Sequence, residues 1–407
     1  MKVVVVHNFY QQPGGEDQVF ADETALLEGH GHEVIRHTLH NDAISGMSKL
    51  TVAGKTIWNS AAHAQLRDLV QRERPRVVHF HNTFPLFSPS VYSAARSAGA
   101  AVVQTLHNYR LICPDAQFFR DGRPCEDCLG KLVPWPGVVH RCYRGSLDAS
   151  AVTAGMLAIH KLRGTYHHEV DAYIVLSEFA RGKFLQAGLP AGKLMVKPNF
   201  VGPDPGVIPD SGAGGYVLFV GRLSRSKGIH TLLNAWKRMT APIELKIAGD
   251  GELADAVRAA AGKDSRIHFL GRRPLRDIYD LMADAALLVF PSIWYECLPK
   301  TIIESFAVGT PVIASRLGSM TELIADGRTG THFTSGDADD LAVAVQRLIG
   351  NPVQLKQMRR LARAEFEAKY TAEINYGLMA DVYQAALRIA AFGGSAEYRM
   401  QNENAMR

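Results

Sequence analysis

Short apolar runs followed by helical patterns recur along this chain, and this alternation limits the fold more than any other feature. Residues 3–6 form an unbroken β-branched run typical of a strand buried on both faces of a parallel sheet, and residues 20–29 have a helical pattern. Further runs lie at residues 76–80, 101–105 and 172–176. They predict a doubly wound α/β domain, in which ligands bind beyond the carboxyl ends of the strands.

A second series of the same kind follows residues 197–215, a stretch dense in proline and glycine that we interpret as a linker. Its predicted strands are residues 216–220, 244–248, 266–270, 286–290 and 311–314, and its predicted helices are residues 228–238, 275–282, 300–308 and 339–348. Residues 371–392 form a long helical pattern, and residues 393–407 resemble a frayed tail. A chain of 407 residues is long enough for two such domains.

Composition excludes several classes of protein. The chain has 45 Lys+Arg against 40 Asp+Glu, a smaller excess than nucleic-acid-binding domains usually have, although it suits an anionic small molecule or a membrane surface. The valine run at residues 3–6 is too short for a signal-peptide core, and no segment approaches the ~20 apolar residues that span a bilayer. We therefore expect a cytoplasmic protein with reduced cysteines.

Two glutamates eight positions apart give the strongest functional signal. Glu296 and Glu304 lie in PSIWYECLPKTIIESFAVGTPVIAS, where Pro299 marks a predicted helix start between them. Glu304 then lies about one turn into the helix and Glu296 lies in the preceding loop, so both carboxylates can approach one ligand. Backbone N–H groups between Leu298 and Thr301 would point toward an anion. This arrangement suits a ribose diol beside phosphate.

A second motif lies about seventy residues earlier in the same half. The segment FVGRLSRSKGIHTLLNAW places Arg222 and Lys227 directly after a predicted strand. Such charges are commonly solvated loop residues, and a glutamate pair alone is a weak signal. Because both motifs follow strands of one predicted sheet, we expect them to lie at the same edge.

The two motifs together resemble the paired-glutamate signature and the Gly-Arg loop of the retaining GT-B glycosyltransferases of family 4, and the resemblance covers nearly the whole chain. It implies two Rossmann-like domains that face each other across a cleft. Arg222 and Lys227 would bind the donor diphosphate, and Glu304 and Glu296 would bind its ribose and its sugar. The transfer would be a front-face displacement without an obligatory metal, in which the leaving phosphate helps to deprotonate the acceptor and the fixed cations stabilise its charge.

The resemblance also assigns smaller roles. Gly14 and Gly15 would meet the donor sugar and the acceptor, and His107 would contact the transferred sugar and take part in catalysis. His81, Asn82 and Arg110 are acceptor-side candidates, since they follow the strands at residues 76–80 and 101–105. The donor-binding set comprises Gly14, Gly15, Gly271, Leu298, Pro299, Lys300, Thr301 and Glu304. Leu298 departs from the family pattern, because many relatives have a glycine there, and its side chain leaves less room beside the phosphates.

Four of the five cysteines, Cys113, Cys125, Cys128 and Cys142, fall within one insertion at residues 113–142. The loop is too long and too rich in glycine and proline to be held by a core of its own. A structural Cys₄ zinc site would stabilise it in a reducing cytosol. A disulfide pair, an iron–sulfur site and four unlinked thiols are the alternatives.

We therefore predict an acceptor-binding domain over residues 1–197 and a donor-binding domain over residues 198–370. A helix at residues 371–395 would cross back to the first domain, followed by a tail at residues 396–407. The reaction would move a sugar from a UDP- or GDP-sugar to a saccharide or lipid-linked acceptor, by analogy in cell-surface polysaccharide synthesis. Residues 140–144 and 160–168 could meet the inner face of an anionic membrane, although a solvated face fits them equally well.

Three other functions use the same fold or site. A nucleotide-sugar epimerase would convert the donor without an acceptor, and an inactive scaffold would bind nucleotide sugar without turnover. The intact Arg222, Lys227, Glu296 and Glu304 argue against the scaffold. An NAD-dependent oxidoreductase is weakened by the missing G-x-G-x-x-G fingerprint.

Overall fold

A computed structural model of the chain describes residues 1–12, 14–206 and 215–392. These residues form two compact units. The first contains Met1–Phe118, Glu126–Pro198 and the last helix from Tyr376, and the second contains Phe119–Cys125 and Asn199–Asn375. The chain thus passes from the first unit to the second between Pro198 and Asn199, next to the boundary predicted after residue 197. Residues 207–214 of the predicted linker, and the tail, lie outside the described residues.

Parallel sheets form the centre of both units. The strands are β1 (Lys2–Phe9), β2 (Glu33–His40), β3 (Val77–Asn82), β4 (Ala101–Leu106), β5 (Phe119–Arg120), β6 (Arg123–Pro124), β7 (Ala172–Val175), β8 (Leu194–Val196), β9 (Val217–Val220), β10 (Leu245–Ala248), β11 (Ile267–Gly271), β12 (Leu287–Phe290), β13 (Val312–Ser315) and β14 (Gly330–Phe333). The first sheet has the order β2-β1-β3-β4-β7-β8 and the second has the order β11-β10-β9-β12-β13-β14. Strands β5 and β6 form a separate two-stranded antiparallel hairpin.

Helices connect the parallel strands, as parallel pairing requires. They are α1 (Gly15–Gly29), α2 (Lys49–Ile57), α3 (Ser60–Glu73), α4 (Ser90–Ser97), α5 (Trp135–Val139), α6 (Leu147–Leu162), α7 (Thr165–His168), α8 (Glu178–Gln186), α9 (Ile229–Arg238), α10 (Ala254–Ala261), α11 (Leu275–Asp284), α12 (Lys300–Ala307), α13 (Met320–Leu323), α14 (Ala338–Ile349), α15 (Pro352–Lys369) and α16 (Ala372–Phe392). Short 3₁₀ helices cover Asn41–Gly46 and Ala191–Lys193. Within the described part of the chain, no helix combines the length and the apolar character needed to cross a bilayer.

Burial explains why these residues form these elements. Val3 to Val6 are fully buried in β1, which lies between β2 and β3. In the second unit, the apolar faces of α9 and α14 pack together against the sheet around the buried Trp236. The two doubly wound sheets confirm the predicted fold class.

The structure differs from the sequence-based prediction in several places, among them α1, β2 and the insertion. Helix α1 begins at Gly15 instead of residue 20, because Asp17 in its first turn accepts a hydrogen bond from the backbone N–H of Gly14 at 2.8 Å. Strand β2 was not predicted, and its alternating, partly exposed residues agree with its place at the sheet edge. The predicted insertion is divided, since β5 and β6 belong to the second unit and the residues around them to the first.

Candidate active site

The first candidate site lies at the carboxyl ends of β9 and β12, which are neighbours in the second sheet. The loop after β9 carries Arg222 and Lys227, and the loop after β12 carries Glu296. The backbone N–H of Ile293 donates to the carbonyl oxygen of Ser226 at 2.8 Å, which joins the two loops. Two motifs about seventy residues apart in sequence therefore meet, as expected for adjacent strands of a parallel sheet.

Glu296 is the centre of this junction. Its Oε1 accepts a hydrogen bond from Lys227 Nζ at 2.6 Å, from Ser292 Oγ at 2.7 Å and from Trp294 Nε1 at 2.7 Å. The carboxylate is buried, and the ammonium of Lys227 also lies 5.2 Å from the ring centroid of Phe290. Charged hydrogen bonds in such a site are short and strong, so the pair is held in one geometry.

Glycines allow the loops to approach this closely. Gly228 follows Lys227 and has a φ of +74°, and a Cβ there would lie 1.8 Å from the carbonyl oxygen of Pro291. A Cβ on Gly249 would lie 1.9 Å from the carbonyl oxygen of Gly221, directly before Arg222. Any larger residue at either position would push these loops apart.

Arg222 has an exposed side chain, and within the described residues it forms no ion pair. Its backbone is fixed by its neighbour, because Leu223 donates to the carbonyl oxygen of Asp250 at 2.8 Å. The guanidinium can therefore reach outward from a fixed loop. This is a suitable arrangement for binding an anionic ligand.

Helix α12 begins at Lys300, which places Glu304 about one turn into it as predicted. Glu304 is half-buried, whereas Leu298 is buried and its carbonyl oxygen accepts a hydrogen bond from Asn199 Nδ2 at 3.2 Å. Pro299 is the residue before the helix, and Lys300 and Thr301 form its first turn. Gly271 ends β11, which lies two strands away from β9 at the edge of the sheet. The donor contacts of these residues stay predictions.

The second candidate site lies at the carboxyl ends of β1, β3 and β4 in the first unit. His107, directly after β4, has its Nε2 3.0 Å from Nδ1 of His81 at the end of β3. Burial lowers the pKa of His107 to about 3, so its imidazole is neutral in the physiological range. The side chain of His81 is fully buried. Its acceptor-side role stays a prediction.

The loop after β1 is tied to this site. Asp17 Oδ1 lies 2.7 Å from His7 Nε2, and its Oδ2 accepts from the backbone N–H of Gly14, so Gly14 and Gly15 are fixed at the start of α1. Glu16 accepts a hydrogen bond from Asn108 Nδ2 at 3.3 Å through Oε2, while its Oε1 is buried without a partner.

Glu16 is a residue that the sequence motifs did not single out. Burial raises the pKa of its carboxyl to about 8, and the nearby charge of Asp17 adds to the shift. The sequence signal that could have identified Glu16 was its position directly after a glycine pair, at the start of a helix. A carboxyl group beside Asn108 can hydrogen-bond a hydroxyl group of a ligand.

Asn82 and Arg110 are both held by their own loops. Asn82 Nδ2 donates to the carbonyl oxygen of Asn8 at 2.7 Å, and its Oδ1 accepts from the backbone N–H of Phe84 at 3.0 Å. The guanidinium of Arg110 lies 4.2 Å from the ring centroid of Phe84 and 5.0 Å from that of Tyr143. Arg110 also donates to the carbonyl oxygen of Pro114. Asn82 thus supports the loop, and Arg110 is pre-oriented by aromatic rings.

The cysteines of the insertion do not form a metal site in this geometry. Within the described residues, the side chains close enough to share a metal ion are Glu23, His79 and His81, and no cysteine belongs to that group. The zinc prediction therefore has no support from the structure, and metal analysis of the purified protein would test it.

Comparison with known proteins agrees with this geometry. Residues 14–199 match the glycosyl transferase 4-like domain, and residues 214–351 match glycosyl transferases group 1. HepE from Anabaena, solved in complex with UDP, superimposes with a TM-score of 0.67 over 95% of this chain and 100% of that chain, at 17% identity. Sucrose-phosphate synthase from Thermosynechococcus elongatus gives a TM-score of 0.69 over 94% of this chain and 98% of that chain, at 16% identity. The chain has the GT-B fold of the glycosyltransferases.

Curated relatives of this GT-B chain include two synthases of Mycobacterium tuberculosis. It is 31% identical to glycogen synthase of Mycobacterium tuberculosis over 178 residues, which cover 42% of this chain and 43% of that protein. It is 31% identical to alpha-maltose-1-phosphate synthase of the same organism over 175 residues, which cover 38% of this chain and 45% of that protein. The matches thus span less than half the length of these relatives.

Proposed function

We propose that this protein is a glycosyltransferase that moves a sugar from a UDP- or GDP-sugar to a saccharide or lipid-linked acceptor, with retention of configuration and without a metal ion in the transfer step. The observation that carries the proposal is the contact of Lys227 with Glu296 at the joint edge of β9 and β12, with Arg222 on the same loop. HepE was solved with UDP and with UDP-glucose, which supports a nucleoside diphosphate sugar as donor.

In the proposed reaction, the bond between the anomeric carbon and the β-phosphate oxygen breaks. The acceptor hydroxyl oxygen forms the new bond to the same face of that carbon, and its proton passes to the departing phosphate. Negative charge grows on the diphosphate as the bond breaks. Arg222 and Lys227 stabilise this charge, and a Lys cannot be replaced by an Arg without a change in geometry.

Glu296 would bind both the ammonium of Lys227 and a hydroxyl group of the sugar. Its Oε1 is occupied by Lys227, Ser292 and Trp294, so Oε2 is the oxygen that would accept a hydrogen bond from a sugar hydroxyl. The same contact would hold Lys227 in place for the diphosphate. Glu304 would accept from the ribose hydroxyls, while Gly14, Gly15 and His107 would contact the sugar and Arg110 the acceptor.

The decisive experiment incubates the purified protein with UDP- and GDP-sugars, with and without an acceptor extract from cell-surface polysaccharide. We expect nucleoside diphosphate release that depends on the acceptor, and a glycoside with the anomeric configuration of the donor by NMR. Epimerised donor without acceptor would indicate the isomerase alternative. Binding without any turnover would indicate the scaffold.

We also propose that the first unit associates with an anionic membrane surface. Of the exposed large hydrophobic side chains in the described residues, seven lie within residues 132–162. These are Leu132, Val133, Trp135, Val139, Leu147, Ile159 and Leu162. Exposed apolar residues concentrated in one segment mark an interaction surface.

Contacts connect this segment into one surface. Lys161 on α6 donates to the carbonyl oxygen of Lys131 at 3.2 Å, and the ammonium of Lys131 lies 5.8 Å from the ring centroid of Trp135 on α5. Arg163 lies 5.0 Å from the ring centroid of Trp58. Basic side chains thus border the apolar ones, and residues 131–163 contain five Lys or Arg against one acidic residue, Asp148. Such a surface is complementary to anionic headgroups.

Vesicle co-sedimentation tests this surface. We expect binding to phosphatidylcholine vesicles that contain phosphatidylglycerol, weak binding to phosphatidylcholine alone, and loss of binding at high salt. Trp135→Ser with Leu162→Ser should lower binding about 100-fold or more, because each buried apolar side chain contributes about 1.5–3 kcal/mol. Val353→Ser, at an exposed position in the second unit, is the control. Equal binding of the double variant would contradict the assignment.

A further inference from the structure

A row of buried polar groups lies behind His107 in the first unit. Lys197 Nζ donates to Glu23 Oε1 at 2.7 Å, and Glu23 Oε2 lies 3.4 Å from Nε2 of His81. Nδ1 of His81 in turn lies 3.0 Å from Nε2 of His107. The centroids of the two imidazole rings lie 5.2 Å apart with an interplanar angle of 18°, a geometry that is compatible with an in-plane hydrogen bond.

Burial of this row is costly, so its presence needs a reason. Lys197 has 0% of its surface exposed, Glu23 has 1% and His81 has 2%. A buried ion pair of this kind often contributes little or nothing to stability compared with apolar residues of the same volume. The Lys197–Glu23 pair also joins positions 174 residues apart. The burial of this pair is better explained by a role in orienting His81 and His107 than by a contribution to stability.

The row determines where the protons of both imidazoles lie. Burial holds the pKa of His81 well below its usual range, and the neighbouring His107 and His7 lower it further, so His81 is neutral and carries one ring proton. The carboxylate of Glu23 faces Nε2 of His81 and favours the proton on that nitrogen. Nδ1 of His81 is then an acceptor, and the proton in the bond to His107 belongs to Nε2 of His107.

This arrangement of ring protons also determines the state of the second ring nitrogen of His107, Nδ1. A neutral imidazole with its proton on Nε2 has a lone pair on Nδ1. His107 is half-buried, and within the described residues its one hydrogen bond is the contact with His81. We propose that His81, oriented by Glu23 and Lys197, is a positioning residue that fixes His107 as the Nε2–H tautomer, so that its Nδ1 accepts a hydrogen bond from a hydroxyl group of the bound sugar. This inference rests on the proposed function.

A metal ion is the competing interpretation of the same residues. Glu23, His79 and His81 each offer a ligand atom within 4.8 Å of the others. However, the ammonium of Lys197 lies 2.7 Å from Glu23 and would repel a cation. Both ring nitrogens of His79 are already engaged, with the hydroxyl groups of Tyr383 at 2.9 Å and Thr105 at 2.7 Å. The contacts therefore favour the row of buried polar groups over a metal site.

Nitrogen-15 NMR of histidine-labelled protein tests the tautomer without any turnover. We expect the signals of His107, assigned by their loss in His107→Gln, to show a proton on Nε2 and none on Nδ1 at pH 7. A proton on Nδ1 of His107 would overturn the proposal. A shift of the His79 and His81 signals on addition of zinc or manganese, with binding at a stoichiometry of one, would also overturn it in favour of the metal site.

Two variants of His81 link the tautomer to the reaction. His81→Gln keeps an acceptor oxygen for His107, whereas His81→Phe removes it. We expect His81→Phe to lower kcat about tenfold or more with little change in UDP affinity, and His81→Gln to retain most of the rate. The exposed His168→Gln is the control, and melting temperatures report folding. Equal rates in His81→Phe and the parent would contradict the positioning role. Absence of turnover in the parent, with the tautomer as expected, would instead reject the proposed function.

Discussion

Lys227 Nζ lies 2.6 Å from Glu296 Oε1, and this contact joins the loop after β9 to the loop after β12. The cation that would bind the donor diphosphate is therefore held by the carboxylate that would bind the sugar. A fixed cation costs little reorganisation when charge develops on the leaving group. In the proposed function, Lys227 would thus be in place before any ligand binds.

Removing this cation should affect the reaction more than donor binding. We expect Lys227→Ala to lower kcat by about 100-fold or more, with a smaller change in donor affinity, because the charge it stabilises is largest in the transition state. Steady-state kinetics with the identified donor measure both quantities. Lys237→Ala, at an exposed position on α9, is the matched control, and parental turnover in Lys227→Ala would reject the role.

Glu304 should act on the nucleotide. Glu304→Ala removes the carboxylate proposed for the ribose hydroxyls, and we expect nucleoside diphosphate affinity to fall about tenfold, since hydrogen bonds to charged groups contribute about 1.5–3 kcal/mol. Titration calorimetry with UDP and GDP measures this loss. Asp277→Ala, an exposed carboxylate on α11, should bind as the parent does. Unchanged affinity in Glu304→Ala would show that the ribose is bound elsewhere.

Gly228 should tolerate no side chain. The Cβ of Gly228→Ala would lie 1.8 Å from the carbonyl oxygen of Pro291, so the loop of Lys227 must move or the protein must unfold in part. We expect a loss of about 3 kcal/mol or more in the free energy of unfolding, together with loss of donor binding. Gly336→Ala also has a positive φ, of +83°, but meets no atom within 4 Å, and should cost about 1 kcal/mol. Equal stabilities of the two variants in denaturant titration would contradict the packing argument.

The free energy of unfolding should decrease as pH rises, because the carboxyl group of Glu16 then loses its proton. Its pKa is raised to about 8 in the folded protein, above the ~4.3 of an unfolded chain, so the folded state binds this proton more tightly. The contribution of this proton to the free energy of unfolding is fully present below about pH 4 and is lost as pH rises through 8. Glu16→Gln should therefore raise the melting temperature at pH 9, by the equivalent of about 2 kcal/mol, and change it little at pH 4.5. An equal effect of Glu16→Gln at both pH values would contradict the raised pKa.

The sequence predicted the parts of this fold that depend on local pattern. The valines of β1, the helix that carries Glu304 and the strands before Lys227 and Glu296 were all recognisable, because buried parallel strands are continuous apolar runs. Asp337 caps α14, since its side chain accepts from the backbone N–H groups of Asp339 and Asp340.

What the sequence did not predict depends on contacts between distant residues. The pairing of Glu23 with Lys197 leaves no local pattern, and neither residue differs in sequence from an ordinary surface charge. His81 was noticed for its position after β3, but its burial and its bond to His107 required the sheet order. The spacing of the four cysteines suggested a metal site, whereas the chain divides between two units within that segment.

The most direct test of the account is a thermal-shift panel of UDP- and GDP-sugars with the parent protein and with the Arg222→Ala, Lys227→Ala double variant. A donor at about 100 times its Kd stabilises the folded state by ~2.7 kcal/mol. The account predicts that at least one nucleotide sugar raises the melting temperature of the parent by several degrees and leaves that of the double variant unchanged. A panel in which no nucleotide sugar stabilises the parent, or in which the double variant responds equally, would contradict it.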